Sequence, residues 1–130
     1  MYKFRGKRLD NGEWVYGDRL GFGDLVFIVI DNSGFQRTSS VQADHALISG
    51  CCEVHPDSVG MWTGIEDYYG DDIVESKDGK RRYIITYREM SAKYVLAGIG
   101  KAWWIHDMQP AIVDMIVIGN TTDNPELLGE

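Results

Sequence analysis

Polar and apolar positions alternate through the first twenty residues. Between Tyr2 and Leu20 two β-prone runs flank Asp10-Asn11-Gly12, which signals a hairpin. The loop length decides which side chains share a face, because a one-residue slip exchanges the two faces of a strand. A two-residue Asn11-Gly12 loop sets Lys3, Arg5 and Lys7 on the side of Trp14 and Tyr16. A three-residue loop pairs Leu9 with Glu13. It gathers Tyr2, Phe4, Trp14, Tyr16 and Leu20 on one side and Lys3, Arg5, Lys7, Glu13 and Arg19 on the other. Burying rings in preference to cations favours the three-residue loop, with Gly12 left-handed in a bulge. The rings are then the expected core face and the cations the wet face. Arg8 falls on the core side, so its head must reach the edge or a carboxylate such as Asp18.

Further on, Leu25 to Ile30 is an unbroken apolar run of strand length, the pattern of a buried strand. Phe35 to Val41 predicts a more polar edge strand, Gln42 to Ile48 a helical turn or loop, and Ala46 to Val54 another strand. His55-Pro56-Asp57 breaks the chain, and Val59 to Gly64 resumes extended structure. After a polar turn at 67–71 come a strand at Asp72 to Glu75 and a hairpin turn at Lys77-Asp78-Gly79-Lys80. Arg82 to Arg88 and Ala92 to Ala97 read as partner strands. A bend follows at Gly98 and Gly100, then a closing strand from Ala111 to Ile118. Asn124-Pro125-Glu126-Leu127-Leu128 has the cap and first-turn proline of a short helical turn. Few stretches hold a helical period. The expected fold is mainly β: twisted antiparallel hairpins in a barrel-like or sandwich domain with short helical turns. One domain over residues 1–130 is expected, with 55–58 as the place for any seam.

Composition narrows the function classes. Of 130 residues, 44% are hydrophobic and 25% charged, so a packed core is expected and disorder is not. The net charge of −7 makes the chain a poor general binder of phosphate backbones. Positive charge is uneven, however, and the strip Lys3, Arg5, Lys7 and Arg19 is the candidate nucleic-acid contact. Cys51 and Cys52 are neighbours, and strand neighbours point to opposite faces, so neither a disulfide nor a shared metal suits them. A reducing cytoplasm is the expected compartment. No apolar run reaches the ~20 residues of a membrane span.

Three clusters hold reactive side chains. Cys51-Cys52 with His55 lacks zinc spacing, and the acidic loop Glu66 to Asp72 lacks the alternating ligands of a calcium loop. No metal or cofactor is expected at either. His106-Asp107 beside Trp103-Trp104 is the most site-like group, and a histidine tuned by a carboxylate can act as a general base. Adjacent strand residues diverge, though, and two neighbouring tryptophans cannot both face one core. An interaction surface of Trp103, Trp104, His106, Tyr68 and Tyr69 is therefore favoured over catalysis.

Three ordered stretches carry a resemblance. They are Phe4-Arg5-Gly6-Lys7 through Trp14-Val15-Tyr16-Gly17-Asp18; Val54-His55-Pro56-Asp57-Ser58-Val59-Gly60-Met61-Trp62-Thr63-Gly64-Ile65 followed by Tyr69-Gly70-Asp71-Asp72-Ile73-Val74; and Val117-Ile118-Gly119-Asn120 with Asn124-Pro125-Glu126-Leu127-Leu128. Together they resemble the YopX-like family of small phage and prophage proteins. The chain departs from the family where Glu66-Asp67-Tyr68 replaces a longer Asn-Gly hairpin. The resemblance implies a mostly β fold with an SH3-like barrel in the second half, and a cytoplasmic protein of a bacterial host. It implies no catalytic residue.

The expectation is a non-enzymatic accessory protein that binds a host or phage protein or assembles with itself. A nucleic-acid-associated module using the Lys3, Arg5, Lys7 and Arg19 strip is the first alternative, and a small hydrolase centred on His106 the second.

Overall fold

The computed structural model describes residues 3–30, 50–100 and 105–129. The strand and helical turn expected within 35–48, and Trp103 and Trp104, lie outside them. The chain separates into two compact units, Met1–Trp62 and Thr63–Glu130. The boundary falls after the His55-Pro56 break. That break is a 3-10 turn, Pro56–Ser58, stitched to the first strand: Lys7 N–H donates to Ser58 Oγ at 2.8 Å, and His55 N–H to the Lys7 carbonyl at 2.9 Å.

The first unit is a five-stranded antiparallel sheet of β1 (Phe4–Lys7), β2 (Trp14–Phe22), β3 (Leu25–Val29), β4 (Cys51–Val54) and β5 (Gly60–Met61), in the order β4-β3-β2-β1-β5. The nine residues of β2 serve two partners, β1 up to Gly17 and β3 from Asp18 onward. The sheet curls until Arg8 bridges Val54, without a continuous ladder there. Val26, Ile28 and Val54 form its core, with Phe4, Val15 and Val59 packed around them.

The opening hairpin overturns the expected parity. Arg8 N–H donates to the Glu13 carbonyl at 2.9 Å and Gly12 N–H to the Arg8 carbonyl at 3.2 Å, so four residues, Leu9 to Gly12, make the loop. Gly12 is left-handed at φ 72, and Asn11 Oδ1 accepts the Glu13 N–H at 2.9 Å. Arg8 turns back onto Asp10 at 2.8 and 2.6 Å, and not toward Asp18. The register becomes Arg5↔Tyr16 and Lys7↔Trp14, which puts cations and rings on the same face. Tyr16 is 40% exposed, while Arg5 is 8% exposed with its guanidinium carbon 5.0 Å from the Trp14 ring centroid.

The opposite face, Phe4, Gly6, Val15 and Gly17, is the one that packs inward. The physical reason lies in its glycines. A Cβ on Gly6 would stand 2.8 Å from Val54 Cγ2, and one on Gly17 would run into the Val29 carbonyl oxygen. At Gly6 and Gly17 the inner face is closed by the approach of Val54 and of the Val29 backbone, where no side chain fits.

The second unit is a second antiparallel sheet, of β6 (Asp72–Ser76), β7 (Arg82–Arg88), β8 (Lys93–Gly98), β9 (Ile105–Asp107) and β10 (Met115–Asn120), in the order β10-β6-β7-β8-β9. The hairpin turn after β6 forms where expected. Gly79 is left-handed at φ 73, Ser76 Oγ bonds Asp78 Oδ1 at 2.5 Å, and Asp78 accepts the Lys80 N–H at 3.0 Å. The closing strand starts later than expected. Ala111–Asp114 is a 3-10 turn in which Ile112 N–H donates to the Met108 carbonyl at 2.6 Å. This strand order is a meander from β6 to β9 with β10 returning beside β6 after a 3-10 turn. The sheet stays open between β9 and β10, so it does not close into a barrel.

Val74, Tyr83, Ile85, Leu96, Met108 and Ile112 form the core of this unit, with Ile65, Tyr68, Tyr94, Ala111 and Met115 against it. At the C-terminal turn Pro125–Leu128, the Asn124 side chain accepts the Asn120 N–H at 3.2 Å and does not cap the turn itself. The fold is mainly β, and no helix among the described residues is long and apolar enough to cross a membrane.

Candidate functional site

The β7–β8 hairpin builds a groove at one end of the second sheet. Its loop is the 3-10 turn Glu89–Ser91, closed by Ala92 at φ 53, a left-handed conformation uncommon for a residue with a Cβ. The closure sets Tyr87 opposite Tyr94 and Ile85 opposite Leu96. Cross-strand partners share a face. The two tyrosine rings therefore continue the core face outward past Leu96 and meet edge to face, 5.3 Å between centroids.

The groove they wall has a volume of about 460 Å³ and is open to solvent. Buried Met108 lines it together with half-buried Ile65, and Thr63, Ala92 and Gln109 complete it. Lys93 Nζ stands 2.7 Å from Asp107 Oδ1, tying β8 to β9 at the rim. That hydrogen bond, with the charges of Lys93 and Arg88, holds the Asp107 carboxyl below the usual carboxylate range. Burial pushes the Tyr94 phenol up, and the negative charge of Asp71 and the nearby Tyr87 add to it. Tyr68 is likewise raised, by burial first and then by Glu66, Asp67 and Asp72. Two phenols, one amide and one closed ion pair give the groove apolar area with a few hydrogen-bonding groups.

The sequence-predicted surface is divided by the structure. Tyr69 is 2% exposed, so it is a core residue and not a surface one. Its ring belongs inside because the 69–72 turn is tied inward, Tyr69 N–H donating to Asp72 Oδ2 at 2.9 Å. Tyr68 is half-buried against the same core. His106 is exposed on β9 with its ring edge-on to Tyr83, 5.5 Å between centroids. Its neighbour Asp107 reaches Lys93, so the two members of the candidate hydrolase pair serve different partners. Trp103 and Trp104 lie outside the described residues.

The cationic strip is divided too. Lys3 is exposed and Lys7 half-buried, but Arg5 is buried against Trp14. Arg19 pairs with Ile28, on the other parity of β2 from the face of Arg5 and Lys7. Cys51 and Cys52 pair with Val29 and Ile28, on opposite faces of β4. Among the described residues no group of three His, Cys, Asp or Glu is placed to share a metal ion.

The tyrosine pair itself escaped the sequence. Both strands were legible, but pairing Tyr87 with Tyr94 needs the turn at 89–92, which has no glycine or asparagine to mark its left-handed residue. No family model matches the chain, and no curated protein does. The similarity to YopX-like proteins thus rests on the motifs quoted above.

Proposed function

We propose that the chain is a non-enzymatic, protein-binding module and that the Tyr87–Tyr94 groove receives a segment of its partner. The observation that carries this reading is the Tyr87 ring, 47% exposed and edge to face with Tyr94, in an open groove lined by Met108. Rings of this kind supply large contact area at low entropic cost and are common at the energetic centre of interfaces. The separate engagement of His106 and Asp107 supports binding over hydrolysis. Burial of Arg5 weakens the nucleic-acid alternative, which needs a continuous cationic strip. The resemblance to YopX-like proteins supports a phage-derived accessory role in a bacterial cytoplasm, with a host protein, a phage protein or a second copy of the chain as partner.

The test is a displayed library of random dodecapeptides panned against the folded protein, followed by amide chemical-shift mapping of the enriched peptides. Shifts centred on Tyr87, Tyr94 and Gln109 are expected. Shifts confined to the first unit, or no enrichment, overturn the reading.

A further inference from the structure

Residues 63–130 carry twelve Asp and Glu against seven Lys and Arg, so five of the seven net negative charges belong to this unit. The turn that supplies Ile65 continues directly into Glu66 and Asp67. Thr63 holds it, Oγ1 donating to the Tyr68 carbonyl at 2.9 Å and accepting the Ile65 N–H at 3.2 Å. Asp71 lies near enough to Tyr94 to disfavour its phenolate. Lys93, a groove-lining cation, is matched by Asp107. Glu66 and Asp67 directly follow groove-lining Ile65 in the chain, and Asp71 acts on groove-lining Tyr94.

We infer that the occupant of the groove is an extended segment of a partner protein that presents a Lys or Arg side chain. Its methylenes lie against Tyr87 and its charged head points toward Glu66, Asp67 and Asp71. This rests on the groove being a protein-binding site, and it names the chemistry of the partner. The physical grounds are complementary. A cation within ~6 Å of a tyrosine face is attracted by the ring quadrupole. A long basic side chain covers apolar surface with its stem while keeping its head wet. The Debye length of about 8 Å at physiological salt lets nearby carboxylates act across a cleft of this size. An acidic segment would meet repulsion at the same place, and a neutral one would gain the ring contact without the field.

The dodecapeptide panning decides it when the enriched sequences are aligned. A recurrent Arg or Lys among apolar residues is expected. The best such peptide, synthesised and titrated, should bind the Asp67→Asn/Asp71→Asn double variant about fivefold more weakly, as exposed charge pairs do. The loss should shrink in 0.5 M salt as screening sets in (~4 Å Debye length). Asparagine tolerates the left-handed backbone at position 71, φ 73, so this variant keeps the fold. A Tyr87→Leu variant, which retains apolar area, should also bind the peptide more weakly. Neutral or acidic consensus peptides that still shift Tyr87 and Tyr94 would overturn the cationic occupant and leave the groove standing. Basic peptides that bind Tyr87→Leu and the double Asn variant as well as the parent would overturn it as well. Shifts away from the groove would remove both readings.

Discussion

Among the described residues the two sheets have the same strand count, and their packing logic is opposite. In the first unit β1 and β2 turn Phe4, Val15 and two glycines toward the Val26, Ile28 and Val54 core, and the closest approaches are backbone to side chain or backbone to backbone. In the second, side-chain volume fills the inner face: Tyr83, Ile85 and Leu96 are each 1% exposed or less. In the first sheet the rings of Trp14 and Tyr16 therefore lie off the core face, whereas in the second Tyr83 is core. A rule that sends rings inward holds at Tyr83 and fails at Tyr16. The difference follows from how near a neighbouring strand comes. A strongly curled small sheet brings β1 and β2 against Val54 and Val29 and leaves no depth for an indole or phenol.

The comparison breaks most clearly by removing volume from the second unit. Leu96→Ala empties a fully buried position and should cost about 2–5 kcal/mol of unfolding free energy. The midpoint of denaturant unfolding checks it. A loss below ~1 kcal/mol would mean that this core is not filled by side chains and that the contrast between the sheets is false.

The first unit should break the other way, by adding a single methyl. Gly6→Ala should cost about 1–3 kcal/mol, because its Cβ meets the fully buried Val54 side chain. Trimming the neighbour relieves it. The Gly6→Ala/Val54→Ala pair should be more stable than the sum of the single changes by about 0.5–3 kcal/mol, read from a double-mutant cycle. Gly17→Ala should lie at or above the top of the same range, and no trimming should rescue it, since what it meets is the backbone oxygen of Val29. Additive behaviour of Gly6 and Val54 would remove close approach as the reason for the observed parity.

The sequence shows where strands lie better than which way they face. Leu25–Val29, the turn at 77–80, the β7–β8 pair and the proline-led turn at 125–128 all form where local pattern placed them. Local chemistry decides each: β-branching, a left-handed glycine, an Asp–Ser turn, a proline at a first helical position. The facing of β1 and β2 depends on a four-residue loop and on distances to Val54 and Val29, which no local pattern contains. Ile112-Val113 reads as strand by β-branching, yet the chain leaving Met108 and Pro110 coils into a 3-10 turn there. At the site, the candidate His106 and the acidic turn were visible as residue types. The tyrosine groove was not, because it exists only once Ala92 turns β7 back onto β8.

The smallest expected effect separates the units by pH. In the first, burial raises the Cys51 thiol above its ordinary 9.0, with Cys52 adding to it. In the second, burial raises the Tyr68 and Tyr94 phenols above 10.0. Each group has a folded value above its unfolded one, so the neutral form is the one the fold favours. The stability it contributes is complete below the unfolded value and is lost as pH rises through the folded value. Unfolding midpoints should therefore hold level up to about pH 9 and then fall in two stages, thiol first and phenol second. Cys51→Ser should erase the first stage and leave the second. Tyr94→Phe should weaken the second, with phenolate absorbance showing one late-titrating ring fewer. If Cys51→Ser leaves the first stage in place, the alkaline loss does not originate at that thiol, and the two sheets respond to base as one.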